Sequence, residues 1–349
     1  METQLSNSLA NIINTSNGDD GQLIFHLKNL IVEYDENTEY AKKSKTIKEL
    51  IEEAINVIQH PTKSDNLITT QFTNLNNLIN GFSFGELIVI GGRPGMGKTQ
   101  LLINLATHIS KIHPVLFFSF DLSEQLLSNR FLSVLTEIPT SNLVQSKLSN
   151  EEMTILNTFE IDKHKNKLLV NDNRSSSMSN IKKYCKTQID EAGIKVIMID
   201  YLQLLTANRR GQTRDAEISY VCRELKNLAT ENNVCIIVSS QLSRAVETRG
   251  GDKKPQLSDL RDSGAIEQDA DKVLFIYRPD YYGLEVDEDN LPTKGMVKII
   301  TAKNRMGKLG ETILKIDDNF IKFFEPEPER NAFRFSSRID EIDTDYKPF

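Results

Sequence analysis

Gly92-Arg-Pro-Gly-Met-Gly-Lys-Thr99 is a complete G-x-x-x-x-G-K-T phosphate loop, set directly behind the apolar run Glu86-Leu-Ile-Val-Ile90 and ahead of a segment of helical periodicity. Glycines at 92, 95 and 97 let successive backbone N–H groups turn toward phosphate oxygens, and the following helix adds its positive N-terminal end. Arg93, Pro94 and Met96 complete the loop. In this context Lys98 reaches the β- and γ-phosphates and Thr99 holds Mg²⁺, so the expected ligands are ATP and magnesium. The competing reading is an ordinary glycine turn, but a match of this length between a strand and a helix rarely arises by chance.

Downstream of residue 86, short apolar runs alternate with longer segments of helical period. The runs are Pro114-Val-Leu-Phe-Phe-Ser-Phe120, Lys195-Val-Ile-Met-Ile-Asp200, Val234-Cys-Ile-Ile-Val-Ser239 and Lys272-Val-Leu-Phe-Ile-Tyr277. This pattern predicts an α/β fold, a mostly parallel sheet with helices on both faces. Three further runs, Gly295-Met-Val-Lys-Ile-Ile-Thr301, Glu311-Thr-Ile-Leu-Lys-Ile316 and Asn319-Phe-Ile-Lys-Phe-Phe324, follow one another across short polar links. They predict antiparallel strands on the sheet edge.

Residues 1–66 differ in character. Across 46–59, Ile47, Leu50, Ile51, Ala54, Ile55 and Ile58 recur at the helical period, with Lys48, Glu49, Glu52 and Glu53 opposite. The stripe predicts a helix that packs either on its own domain or on a neighbouring subunit. A weaker amphipathic stretch, Leu23, Ile24, Leu27, Leu30, Ile31 and Tyr34, could pair with it in a helical hairpin. Residues 325–349, rich in Glu, Asp, Pro and Ser, read as a mobile acidic tail after a core of 67–324.

The three cysteines, Cys185, Cys222 and Cys235, lack metal-ligand spacing, and the N-terminus has neither a basic start nor an apolar stretch. No apolar run approaches the ~20 residues needed to span a bilayer. A cytoplasmic protein without a membrane partner is the expectation. The net charge of −7 argues against an open basic surface for nucleic acid, but a ring can confine a few cations to its channel, so charge leaves that question open.

Asp200 ends a buried run downstream of the phosphate loop, the usual place for the carboxylate that orders Mg²⁺. Asp121 follows another strand at its carboxyl end, where sites in such sheets gather. It can orient or deprotonate an attacking water, or it can simply cap the helix begun by Ser123-Glu124-Gln125. Gln241 closes Ser239-Ser-Gln241 and can sense the γ-phosphate as a neutral donor.

Together these residues resemble the ATPase domain of DnaB-type replicative helicases, a RecA-like fold. The likeness runs in order from Gln71-Phe-Thr-Asn-Leu through the phosphate loop, Phe118-Ser-Phe-Asp-Leu-Ser-Glu-Gln125, Ile199-Asp-Tyr-Leu-Gln-Leu204, Glu217-Ile-Ser-Tyr-Val-Cys-Arg-Glu-Leu-Lys226 and Ser240-Gln-Leu-Ser-Arg244. Its most specific part is Ser258-Asp-Leu-Arg-Asp-Ser-Gly-Ala-Ile-Glu-Gln-Asp-Ala-Asp271. The resemblance implies a homo-oligomer, a hexameric ring with nucleotide between subunits. Lys98, Thr99, Asp200 and Gln241 match the phosphate, magnesium and sensing positions. Lys303 and Arg305 resemble the Lys-x-Arg pair that a neighbour inserts toward the γ-phosphate; without the resemblance they would read as a solvated basic turn. The channel loop corresponds to Arg261-Asp262-Ser263-Gly264, so Arg261, Asp262 and Gly264 are the expected contacts to single-stranded DNA, through phosphate rather than base. Arg244, Arg249, Lys253 and Lys254 belong to a polar stretch that either faces the channel or is solvated.

Two departures stand out. The family's usual residue at 121 is glutamate, one methylene longer than the aspartate here. The segment ahead of the core is too short for the helical collar through which the family engages primase, although 46–59 resembles its linker helix. The implied function is an ATP-dependent ring helicase translocating on single-stranded DNA and separating duplex at replication forks, with a loader or primase as further partner. The alternatives are a RecA-like repair or recombination ATPase and a poorly hydrolysing assembly factor held together by ATP.

Overall fold

Leu87–Gly92 (β3) is apolar on both sides of the strand and is buried at every position, which fits only a strand with neighbours on both edges and helices on both faces. The computed structural model describes residues 24, 26–27, 45–59, 67–160, 167–172, 176–207, 213–260 and 263–326. The chain separates into two compact units, Met1–Lys63 and Ser64–Phe349.

In the first unit, the stripe at 46–59 forms the helix Ile47–Gln59. Thr46 and Glu49 make a reciprocal cap: the Thr46 N–H donates to Glu49 Oε2 at 2.6 Å, and the Glu49 N–H donates to Thr46 Oγ1 at 3.3 Å. The Thr46 N–H and, at 3.0 Å, the Thr46 hydroxyl both donate to the Glu49 carboxylate and hold it below its ordinary pKa. Ile47, Leu50, Ile51, Ile55 and Ile58 of the stripe are exposed. Of the weaker stretch before it, Ile24, His26 and Leu27 are helical and the rest lies outside the described residues.

The second unit opens with a two-stranded ribbon, Leu67–Ile68 (β1) and Phe82–Ser83 (β2). It then builds one nine-stranded sheet from β3, Val115–Ser119 (β4), Leu168–Asn171 (β5), Val196–Asp200 (β6), Cys235–Gln241 (β7), Lys272–Tyr277 (β8), Met296–Asn304 (β9), Gly310–Ile316 (β10) and Phe323–Phe324 (β11). The spatial order is β11-β10-β9-β8-β3-β7-β6-β4-β5. Strands from β8 to β5 along that order are parallel, and β9, β10 and β11 add antiparallel on the β8 side. The mostly parallel sheet with an antiparallel edge is the α/β architecture that the alternation of runs predicts. Side chains alternate between two cores. Ile88 and Ile90 pack with Leu102 and Ala106 of the Lys98–Ile109 helix, while Leu87 and Val89 pack with Ile181, Ile218 and Leu225 from the helices Met178–Ala192 and Arg214–Asn232.

The run 319–324 is strand only at its last two residues. Asp317 Oδ1 accepts the N–H groups of Ile321 and Lys322 at 2.7 and 2.6 Å, and Phe320 takes a left-handed φ of 56°, so the chain turns where the sequence pattern predicts extension. No helix among the described residues is long and apolar enough to cross a membrane.

At its lower end β3 is fixed by charge. Lys272 on β8 is 2% exposed and its ammonium donates to both carboxylate oxygens of the buried Glu86, at 2.6 and 2.5 Å. Removing one partner of such a pair strands the other in a low-dielectric interior. Lys272→Ala is therefore expected to cost about 3–5 kcal/mol of unfolding free energy, checked by the urea midpoint of the variant against wild type.

Candidate functional site

β3 points its carboxyl end between β7 and β8, away from its sequence successor β4, so the loop after Gly92 lies where the strand order switches, the position at which such sheets bind ligands. Gly95 and Gly97 have φ of 81° and 98°, which side chains with a Cβ rarely adopt, and a Cβ at Gly95 would press on the Tyr281 ring at 2.9 Å. Gly97 starts the Lys98–Ile109 helix. The loop's own side chains divide by role. Met96 is buried in the core. Arg93 is an anchor: Nη1 donates to the Leu242 carbonyl at 2.8 Å and Nε to Glu247 at 2.9 Å. Pro94 is exposed. Lys98 folds over the loop, its ammonium donating to the carbonyls of Gly92 at 2.8 Å and Arg93 at 3.1 Å. Burial lowers its pKa to about 8, with the Arg93 charge adding to the fall and the Asp200 carboxylate opposing it.

Asp200, 3% exposed, joins three elements. Its Oδ2 accepts from Thr99 Oγ1 at 2.6 Å, and its Oδ1 accepts from Ser239 Oγ on β7. Its carbonyl accepts the Phe120 N–H at 3.1 Å, which ties the end of β6 to the end of β4. These donors and acceptors are hard oxygens, the kind magnesium takes. Gln241 ends β7 half-buried, and its backbone is held by Gln203: the Gln241 N–H donates to Gln203 Oε1 at 3.0 Å, while Gln203 Nε2 donates to Ser240 Oγ at 2.9 Å. Arg214 holds Gln203 in turn, through its carbonyl at 2.5 Å.

Asp121 is exposed just beyond β4. It does not cap the following helix; Ser123 does, its Oγ accepting the Leu126 N–H at 3.4 Å. Arg130, on that helix, feels both carboxylates: burial lowers its pKa, and Asp200 and Asp121 pull it back up.

Lys303 and Arg305 lie at the β9–β10 hairpin, away from their own phosphate loop. Lys303 Nζ donates to the carbonyls of Glu267 and Gln268 at the end of the Ser263–Asp269 helix; Arg305 Nη2 donates to Gln268 O, and Nη1 meets Asp271 Oδ1 at 3.2 Å. Burial and the neighbouring Arg305 charge lower the Lys303 pKa, against the nearby carboxylates of Asp271, Glu267 and Asp269. Gly264 is exposed on the same helix, whereas Arg261 and Asp262 fall outside the described residues. Arg249 is bound to Asp259 and to the Lys254 carbonyl, and Lys254 to Glu288 and Glu311, so these two cations serve internal contacts.

Sequence patterns do not announce several neighbours of the site. Gln203 lies inside a quoted motif, but its role appears only when β6 and β7 are side by side. Arg278 and Phe320 belong to no motif, yet the Arg278 guanidinium sits 4.6 Å over the Phe320 ring and donates to the Gly95 carbonyl at 3.5 Å. Arg278 is buried and paired with Asp280 at 3.0 Å, so it braces the loop from within, while Tyr281 against Gly95 and the half-exposed Phe320 put aromatic surface beside the phosphate loop.

Residues 68–325 match the family described as DnaB-like helicase C terminal domain. The probable replicative DNA helicase of Trieres chinensis is 38% identical over 262 residues, 74% of this chain and 57% of that protein. The replicative DNA helicase DnaB of Geobacillus stearothermophilus is 36% identical over 285 residues, 80% of this chain and 62% of that protein. The chain therefore spans about three-fifths of the length of these curated relatives. Among solved structures, that of a DnaB-like replicative helicase and its interactions with primase superposes with a TM-score of 0.77 at 27% identity, covering 93% of this chain and 76% of that one. A second solved structure, of an isolated ATPase domain, gives a TM-score of 0.72 at 30% identity, covering 82% of this chain and 100% of that one.

The Lys98 environment has a measurable signature in the nucleotide-free protein. With a folded pKa near 8 against the ordinary 10.5, the unfolded chain holds the proton more tightly, so Lys98 makes stability rise with pH between those values. The stability difference between wild type and Lys98→Met is expected to move in favour of wild type from pH 8 to pH 10, read by thermal unfolding of both proteins in parallel.

Proposed function

The chain belongs to the DnaB-like helicase family, and we propose that it is an ATP-dependent DNA helicase that works as a hexameric ring, translocating on single-stranded DNA and separating duplex at replication forks. The observation that carries this reading is the 2.6 Å hydrogen bond from Thr99 to Asp200, which joins the first turn of the phosphate-loop helix to the end of β6 beside Lys98. A structural glycine turn has no use for that bond or for a lysine brought down to about 8. The replicative names of the relatives support it over a repair ATPase or an assembly factor.

In this reading the loop amides and Lys98 hold the phosphates, with Lys98 exchanging its loop carbonyls for phosphate oxygens, whose charge restores its proton affinity. Thr99 and Asp200 hold magnesium, which when bound offsets the charge of the β- and γ-phosphates. Asp121, exposed at the mouth of the same strand end, orients the attacking water, and Gln241, fixed by Gln203, senses the γ-phosphate. Tyr281 and Phe320, both half-exposed beside the loop, offer a stacking surface for the base. Lys303 and Arg305 act in the neighbouring subunit's site, neutralising charge that develops on the transferred phosphoryl group. Arg261, Asp262 and Gly264 grip the DNA backbone. Residues 67–324 form the ATPase domain, the Ile47–Gln59 helix docks its exposed apolar stripe on the adjacent subunit, and 325–349 is a tail. A primase or loader is the further partner, and the cytoplasm the place of action.

Strand separation on a forked DNA with a 5′ single-stranded tail tests the whole reading. Wild type with ATP and magnesium is expected to unwind it and Lys98→Ala is not; a wild type that binds the single strand without unwinding contradicts the helicase assignment. Arg305→Ala is expected to keep nucleotide binding and ring size while losing about 10³–10⁵-fold in turnover. Normal hydrolysis by that variant in an intact oligomer would remove Arg305 from the site.

A further inference from the structure

Ser119 is the last residue of β4, and it follows Val115 and Phe117 at the two-residue strand period, placing its side chain on the sheet face covered by the Lys98–Ile109 helix. Its register partner on β6 is Asp200, which is bonded to Ser239 on β7. Ser119, Asp200 and Ser239 thus form a polar row across three adjacent strands, beneath Thr99. Two of the hydroxyls that meet this row are accounted for, since Thr99 and Ser239 each donate to one oxygen of Asp200. The third is not. Ser119 is 1% exposed and its Oγ has no hydrogen-bond partner among the described residues.

A buried hydroxyl without a partner loses its hydration and gains nothing in exchange, whereas alanine would fill the same space without that loss. Folding alone therefore gives no reason for an oxygen at 119. The strand end supplies one. Magnesium gives up its waters reluctantly and keeps several of them when it binds nucleotide, and those waters need fixed protein oxygens around them. Ser119 is one strand from Asp200 and two residues before Asp121.

Resting on the nucleotide-site reading above, we propose that Ser119 is a positioning residue whose hydroxyl takes up a water of the bound magnesium, completing with Thr99 and Asp200 the protein's share of the metal environment. Its role belongs to the liganded state only, and that separates it from Ser239, whose hydroxyl is already engaged in the free protein.

The test is thermal unfolding of the full chain with ATP held fixed and magnesium titrated, for wild type, Ser119→Ala and Ser239→Ala. Without metal, Ser119→Ala is expected to unfold at or above the wild-type temperature, and Ser239→Ala below it. With ATP, the magnesium concentration giving half the stabilisation is expected to rise about ten-fold in Ser119→Ala. An unchanged magnesium midpoint, or a metal-free Ser119→Ala that unfolds below wild type, overturns the assignment. If wild type itself gains no stability from magnesium and ATP, the nucleotide-site reading fails, and this inference falls with it.

Discussion

The carboxylate of Asp271 fixes where the phosphate loop begins. Its Oδ2 accepts the Leu87 N–H at 2.8 Å, at the first residue of β3, and the Lys226 ammonium at 2.6 Å from the helix Arg214–Asn232. Its Oδ1 takes Arg305 of the β9–β10 hairpin. The next residue, Lys272, carries the buried pair with Glu86. A parallel strand has no hairpin turn to set its register, and a slip of one residue would exchange its two buried faces. At the start of β3 that register is set by charge, and the far end of the same strand delivers Gly92 and the loop.

The same aspartate lies between two parts of the proposed mechanism. β3 leads to the phosphate loop, while Arg305 is proposed to serve a neighbour's site. The Arg305 side chain is 46% exposed, but Asp271 is 9% exposed and Arg305 Nη2 also donates to the Gln268 carbonyl, so the arginine is held by more than a surface ion pair. Leaving for a phosphate costs the arginine both contacts and replaces them with charge-assisted bonds to the phosphate oxygens. The aspartate is not left bare, because Leu87 and Lys226 remain on its other oxygen. An intramolecular resting place of this kind suits the proposed engagement of Arg305 with a neighbour's site.

Much of this is legible in the sequence alone, and the remainder has a common cause. The phosphate loop, the alternation of apolar runs and the antiparallel edge are local patterns, each carried by consecutive residues, and periodicity reads them directly. β5 is a four-residue edge strand, too short to show a period. At 319–324 the apolar pattern overextends the last strand, because hydrophobicity does not register the Asp317 side chain, which captures two backbone N–H groups and turns the chain. Glu86 and Lys272 are 186 residues apart, and Gln203 and Gln241 are 38 apart. Ser119 looks like any serine at a strand end until β6 is placed beside it. Pairings across strands depend on sheet order, and a single sequence does not encode that order in any window.

Asp121 and Asp200 show how one sheet assigns different work to two identical side chains. Asp200 is buried with each oxygen held by a hydroxyl, an arrangement that fixes its orientation and suits the metal-holding role proposed for it. Asp121 stands exposed, beyond the last paired residue of the adjacent strand, where it can meet water. Its reach is shorter by a methylene than that of the glutamate usual in the family. That difference is not recovered by sliding β4, because the Phe120 N–H is bonded to the Asp200 carbonyl and Ser119 is in register with Asp200. The backbone one residue before Asp121 is thus tied to Asp200 itself. Any adjustment has to come from the turn between Asp121 and the Ser123 cap, the first segment past the sheet that is free of the ladder. In the proposed mechanism the attacking water is therefore placed from the exposed side of the site, through that turn, and not from its buried floor.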